Sequence, residues 1–64
     1  MNERLLKEID VKQITSLSAT EILRQEKAGT FPKRLAISAK RVVWIGSEIE
    51  AWVQAKIKTA RSNT

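Results

Sequence analysis

Apolar residues in the first half of the chain recur at helical spacing, switch to alternation after Pro32, and return to helical spacing from Ile49 onward. Asp10 followed by Val11 and Ile14 has the form of an N-cap opening a short first helix over residues 11–15, because an Asp side chain can accept a bond from an orphaned helix N–H. The segment Thr15-Ser16-Leu17-Ser18 interrupts that pattern. Ser18, with Glu21 three places later, then forms the S-x-x-E capping box of a second helix. That helix is expected to run to about Ala28. Gly29 suits a left-handed stop, and Pro32 cannot continue a helix. On the wheel of this second helix, Glu26 falls near the apolar centre with Ala19 and Ile22, so its alkyl stem is expected at a core edge with the carboxylate in water.

Leu35 and Ile37 alternate on one segment and Val42 and Trp44 on the next, and the β-branched and aromatic enrichment supports two strands. Ser38-Ala39-Lys40-Arg41 between them reads as the basic tip of a hairpin. Gly46-Ser47 ends the second strand. Ser47 and Glu50 repeat the capping box, and Ile49, Trp52, Val53, Ile57 and Ala60 place one apolar face on a third helix over about residues 48–61. Its wet side carries Glu50, Gln54, Lys58 and Arg61. The two tryptophans sit on apolar faces and are expected in the core, not stacked on bases. Only the polar ends, Met1 to Glu3 and Ser62 to Thr64, read as candidates for disorder.

Sixty-four residues allow one domain, with an ordered part of about 4–61. A chain this short buries only about 60% of its unfolded surface, so modest stability is expected. Cys and His are both absent from the sequence. That excludes disulfides, thiolate nucleophiles, imidazole bases and the common zinc sites, and neither a metal nor a cofactor is expected. Catalysis would need Ser, Lys and carboxylates converging in a cleft that so small a chain rarely forms, so no enzyme is expected. The longest apolar run, Val42 to Ile45, falls far short of the roughly 18–20 residues of a membrane span, and the N-terminus carries no signal-peptide apolar region. A cytoplasmic protein without membrane contact is the expectation.

Net charge is +5, and its distribution changes the picture. Residues 1–32 balance Arg4, Lys7, Lys12, Arg24 and Lys27 against Glu3, Glu8, Asp10, Glu21 and Glu26. Residues 33–64 hold the whole excess: Lys33, Arg34, Lys40, Arg41, Lys56, Lys58 and Arg61 face only Glu48 and Glu50. Such a surface suits a polyanion. Two helices joined by a short turn, a basic-tipped hairpin and a covering helix describe an α+β winged helix-turn-helix, with three helices and a two-stranded wing. In that arrangement the second helix enters a major groove of double-stranded DNA while the hairpin lays cations along phosphate or in the minor groove. Thr20, Arg24 and Lys27 fall within about 60° of one another, opposite Ile22, and form the best groove-facing stripe. Arg24 has the geometry for guanine or for phosphate, and Thr20 for a thymine methyl or a phosphate. Ser18 caps the helix, and the same helix start offers N–H groups to phosphate. Lys40 and Arg41 at the tip, with Lys33 and Arg34 before the first strand, complete the candidate DNA-binding set.

The run S-L-S-A-T-E-I-L-R-Q-E-K-A-G-T-F-P, followed by R-V-V-W-I-G-S-E-I-E-A-W, resembles the AlpA family of small phage and prophage regulators, which is related to excisionases of the MerR-type winged-helix fold. The residues that carry the resemblance are Thr15, Leu17, Ser18, Ile22, Arg24, Lys27, Gly29, Phe31, Pro32, Arg41, Val43 or its neighbour, Trp44, Ser47, Glu48 and Trp52. Ser16 stands where the family usually has Gly, Ala19 where it has Arg, Glu21 where it has Thr, Leu23 where it has Tyr, and Gln25-Glu26 where it has an apolar pair. The resemblance implies sequence-specific DNA binding near an attachment site or promoter. Two roles follow from it: a recombination directionality factor (excisionase) assisting a tyrosine-type integrase, or a transcriptional regulator. One such module reads few base pairs, so further copies on adjacent sites are expected. A different class also fits the pattern, a protein-interaction module docking through helix 3.

Overall fold

The computed structural model describes residues 3–62. Met1, Asn2, Asn63 and Thr64, part of the polar ends expected to be disordered, lie outside the described residues. The element order is β1 (Leu5–Leu6), α1 (Glu8–Thr15), α2 (Ala19–Ala28), β2 (Leu35–Ser38), β3 (Arg41–Ile45) and α3 (Gly46–Ser62). Three helices and a three-stranded antiparallel sheet of order β1-β3-β2 make an α+β fold of the expected winged type.

The strand that the pattern missed is β1. It is two residues long and pairs Leu5 with Ile45 and Leu6 with Trp44, making β3 the central strand. A two-residue strand carries no alternation to detect, so only its partner reveals it. The hairpin pairs Leu35 with Val43, Ala36 with Val42 and Ser38 with Arg41, with a register shift between Ala36 and Ser38. That extra residue, Ile37, bends the arm near its tip. The expected alternation of Val42 and Trp44 on one apolar face is only half realised. Trp44 is fully buried, whereas Val42 lies near the tip and is exposed. Val43 is buried instead, with Leu35 directly across from it. Leu35 and Ile37 on the edge strand remain exposed.

Helix starts also differ from the pattern. α1 begins at Glu8, not at residue 11, and Asp10 sits inside it, where its carboxylate accepts the Lys7 backbone N–H at 3.1 Å. Asp10 therefore closes the helix start from the third position and is not the cap itself. α3 begins at Gly46, two residues early, because its first turn is held from the chain terminus. The Gly46 N–H donates to the Arg4 carbonyl at 2.7 Å, and the Ser47 N–H and hydroxyl both donate to the Glu3 carboxylate. A Cβ on Gly46 would lie 3.0 Å from that same Arg4 oxygen, so the close approach needs glycine. Glu3 and Ser62, expected in disordered ends, are thus both placed: Glu3 on Ser47, and Ser62 with its hydroxyl donating to the Lys58 carbonyl at 2.9 Å.

The core joins Leu6, Val11, Ile22, Phe31, Trp44 and Ile49, with Leu17, Trp52 and Val53 packed against it. One residue comes from nearly every element, which lets a chain this short enclose a centre. Trp52 is only half-buried; its ring meets Phe31 edge-on at 4.9 Å between centroids, and its N–H donates to the Thr30 carbonyl at 2.8 Å. Beyond Val53 every described residue of α3 is exposed, including Ile57 and Ala60, which the pattern assigned to the apolar face. The helix outlasts the body it covers.

Candidate nucleic-acid interface

α2 is built to present one face and bury the other. Ser18 Oγ accepts the Glu21 N–H at 3.1 Å, and Gly29 closes the helix at φ +79°, donating to the Glu26 carbonyl. The α1–α2 turn needs a second left-handed residue, and Ser16 supplies it at φ +63°. Thr15 steadies this turn, its hydroxyl donating to the Val11 carbonyl and accepting the Leu17 N–H. Ile22 is fully buried and anchors the inner face, while Thr20, Arg24 and Lys27 are exposed on the outer one. The capping-box carboxylate does not return to the Ser18 N–H. Glu21 instead takes Arg24 Nη2 on both oxygens, at 2.6 and 2.7 Å, and Gln25 Nε2 at 3.0 Å. The bonds from Gln25 and Arg24 hold its carboxyl below the ordinary carboxylate range. Arg24 keeps 73% of its side chain exposed, so this pairing lies in water and is exchangeable for another anion.

Glu26 departs from its sequence reading. Its carboxylate does not escape to solvent but turns inward, accepting Arg34 Nε at 2.9 Å on one oxygen and Trp44 Nε1 at 2.9 Å on the other. The residue is 8% exposed. The Arg34 guanidinium also lies 4.8 Å from the centre of the Trp44 ring. One acid on α2 thereby ties together the segment entering the wing and the central strand.

The candidate residues fall into separate groups. Ser18 caps α2, and Thr20 and Arg24 lie on its exposed face in the first turn and at mid-helix. Lys27 shares a shallow depression with Lys33 and Arg34, floored by Leu23 and Glu26. Lys40 and Arg41 line another depression with Leu5, Ile37, Val42 and Val43, which Lys7 joins from the β1 side. Seven of the eight are exposed, and Arg34 is half-buried by its contacts with Glu26 and Trp44. Lys7 was not singled out from sequence, because its place beside the wing depends on the unseen strand β1. Glu26 did carry a signal: a carboxylate at the centre of an apolar helix face needs a partner.

No helix among the described residues is long and apolar enough to cross a membrane. Three helices, a turn of three residues between the first two, and a hairpin arm with cations at its tip define a winged helix-turn-helix domain. The chain belongs to the AlpA family: residues 4–57 match the family described as prophage CP4-57 regulatory protein (AlpA). It is also similar to "uncharacterized protein ORF88" of Enterobacteria phage P4, at 33% identity over 55 residues, covering 86% of this chain. The chain spans 62% of that relative's length. The family match runs from just before β1 into α3 and stops at Ile57, within the exposed part of that helix.

Proposed function

We propose that this prophage-type regulator acts as a single sequence-specific domain on double-stranded DNA, with α2 in the major groove and the β2–β3 wing on the sugar-phosphate backbone. The observation that carries this reading is the division of α2: Ile22 and Glu26 hold it to the body while Thr20, Arg24 and Lys27 stand outward behind a helix start capped by Ser18. Arg24 is the reader, released from Glu21 when a guanine edge or phosphate replaces the carboxylate. Lys40 and Arg41 at the wing tip supply sequence-independent phosphate contacts, and Lys33 and Arg34 at its base add further contacts to the backbone. Each copy reads few base pairs, so the protein works as several copies on adjacent sites. Neutralising phosphate along one side of the duplex favours curvature toward the protein. Such curvature suits an excisionase that brings the sites of a tyrosine-type integrase together.

Fluorescence anisotropy of labelled duplex at low and physiological salt tests the central claim. Affinity is expected to fall at least about tenfold as salt rises, from counterion release at several phosphates. Absence of binding at low salt overturns the DNA reading, and association with a protein partner that ignores salt would favour docking through α3. Arg24→Ala should weaken a selected duplex more than random DNA. The pair Lys40→Ala and Arg41→Ala should weaken both alike and flatten the salt slope. Gel mobility of circularly permuted attachment-site fragments separates the two cellular roles: position-dependent mobility with several copies bound fits excision, and position-independent mobility with one copy bound fits a promoter regulator.

A further inference from the structure

The depression between the end of α2 and the loop entering β2 is lined by Leu23, Glu26, Lys27, Lys33 and Arg34, with a volume of about 290 Å³. Three cations against one carboxylate leave it net positive. The carboxylate is not presented outward: both its oxygens are taken, by Arg34 Nε and Trp44 Nε1, at 2.9 Å each. A helix C-terminus would ordinarily repel an anion through its free carbonyls. Here two of its last four carbonyls, those of Glu26 and Gln25, are bonded to the Gly29 and Thr30 N–H groups, at 3.1 and 2.9 Å, which reduces that repulsion.

Arg34 is oriented from two sides. Glu26 grips the guanidinium through Nε, and the Trp44 face lies 4.8 Å below it, yet 30% of the side chain remains in solvent. An arginine has five N–H donors in a rigid planar fork, and the Nε bond uses one. We propose that this depression is a phosphate-binding site for the DNA backbone, in which Arg34 contacts the phosphate beside Lys27 and Lys33, and that Glu26 is the positioning residue that presets Arg34. Because Glu26 belongs to α2 and Arg34 leads into the wing, this contact sets the position of the wing against the groove-reading helix. The inference rests on the DNA reading above and extends it. It assigns to a buried acid on the reading helix a role in discriminating sequences that it never touches.

The test uses two probes: a duplex enriched from a random-sequence pool by the wild-type protein, and a scrambled duplex of the same composition. Arg34→Lys keeps the charge but loses the planar fork. It is expected to lose about fivefold or more on the enriched duplex with little change on the scrambled one. Arg34→Gln should lose affinity for both and lower the salt slope by about one. Glu26→Gln still offers Trp44 an acceptor but releases Arg34, so the enriched-to-scrambled affinity ratio should fall while scrambled binding holds or tightens. All variants are compared at equal folded fraction by circular dichroism. Should Glu26→Gln fail to fold, Arg34→Lys decides the matter from a half-exposed position. A wild-type ratio in Arg34→Lys together with wild-type affinity for both duplexes in Arg34→Gln, with wild-type protein binding normally, overturns this inference alone. Failure of the wild-type protein to bind either duplex overturns the DNA reading itself, and the phosphate site with it.

Discussion

Trp44→Phe probes the junction on which both the fold and the proposed interface depend. Trp44 is fully buried, and its N–H satisfies one oxygen of a carboxylate that is itself buried. The substitution keeps an aromatic ring but removes that donor, leaving a charged acceptor short of a partner at a cost of about 1–3 kcal/mol. The space vacated by the missing ring atoms adds about 1 kcal/mol. A total near 2–4 kcal/mol is a large share of the roughly 3–10 kcal/mol expected of a chain this long. At about 4–8 °C per kcal/mol for a small domain, the midpoint should fall by about 10–30 °C. Trp52→Phe is the matched control. Its N–H bonds the Thr30 carbonyl at the surface, where water replaces it, so a loss of at most about 1 kcal/mol is expected. Thermal and urea melts followed by circular dichroism measure both. Equal shifts in the two variants, or a Trp44→Phe midpoint within about 5 °C of wild type, would refute the claim that the Glu26 bond holds this junction.

Three further outcomes are expected. Gly29→Ala should cost about 1–2 kcal/mol in urea unfolding, all of it from the left-handed backbone at φ +79°, since an added Cβ meets nothing within 4 Å; Gly29→Asn should recover part of the loss. Glu21, whose carboxyl is held below its ordinary value of 4.5 by Gln25 and Arg24, contributes stability that is present above that value and lost as pH falls through its lower folded-state value. The acid limb of a stability-versus-pH curve should therefore be shallower for Glu21→Gln than for wild type, and identical limbs would remove Glu21 as a contributor. At neutral pH the same variant frees Arg24 and removes an anion from the reading face, so scrambled duplex should bind more tightly and with a steeper salt dependence.

Local chemistry was enough to place the parts whose hydrogen bonds close within a few residues. Ser18 capping Glu21, Gly29 ending α2, and the β2–β3 arm with Lys40 and Arg41 at its tip are written in residues no more than a few places apart. Periodicity likewise identified Ile22, Trp44 and Ile49 as inward, because a helix or strand face repeats whatever it packs against. Bonds between distant residues were out of its reach. Strand β1 exists because Leu5 and Leu6 meet Ile45 and Trp44 some forty residues on, and α3 starts early because Glu3 and Arg4 supply partners that Ser47 and Gly46 lack locally. Periodicity also overextended the core along α3, since spacing records which side Ile57 is on but not where the body beneath it ends. Glu26 shows the division most clearly. Sequence placed it on the buried side of α2, where a carboxylate must either reach water or find donors, and only the fold, by bringing Arg34 and Trp44 to within 2.9 Å, decided for donors.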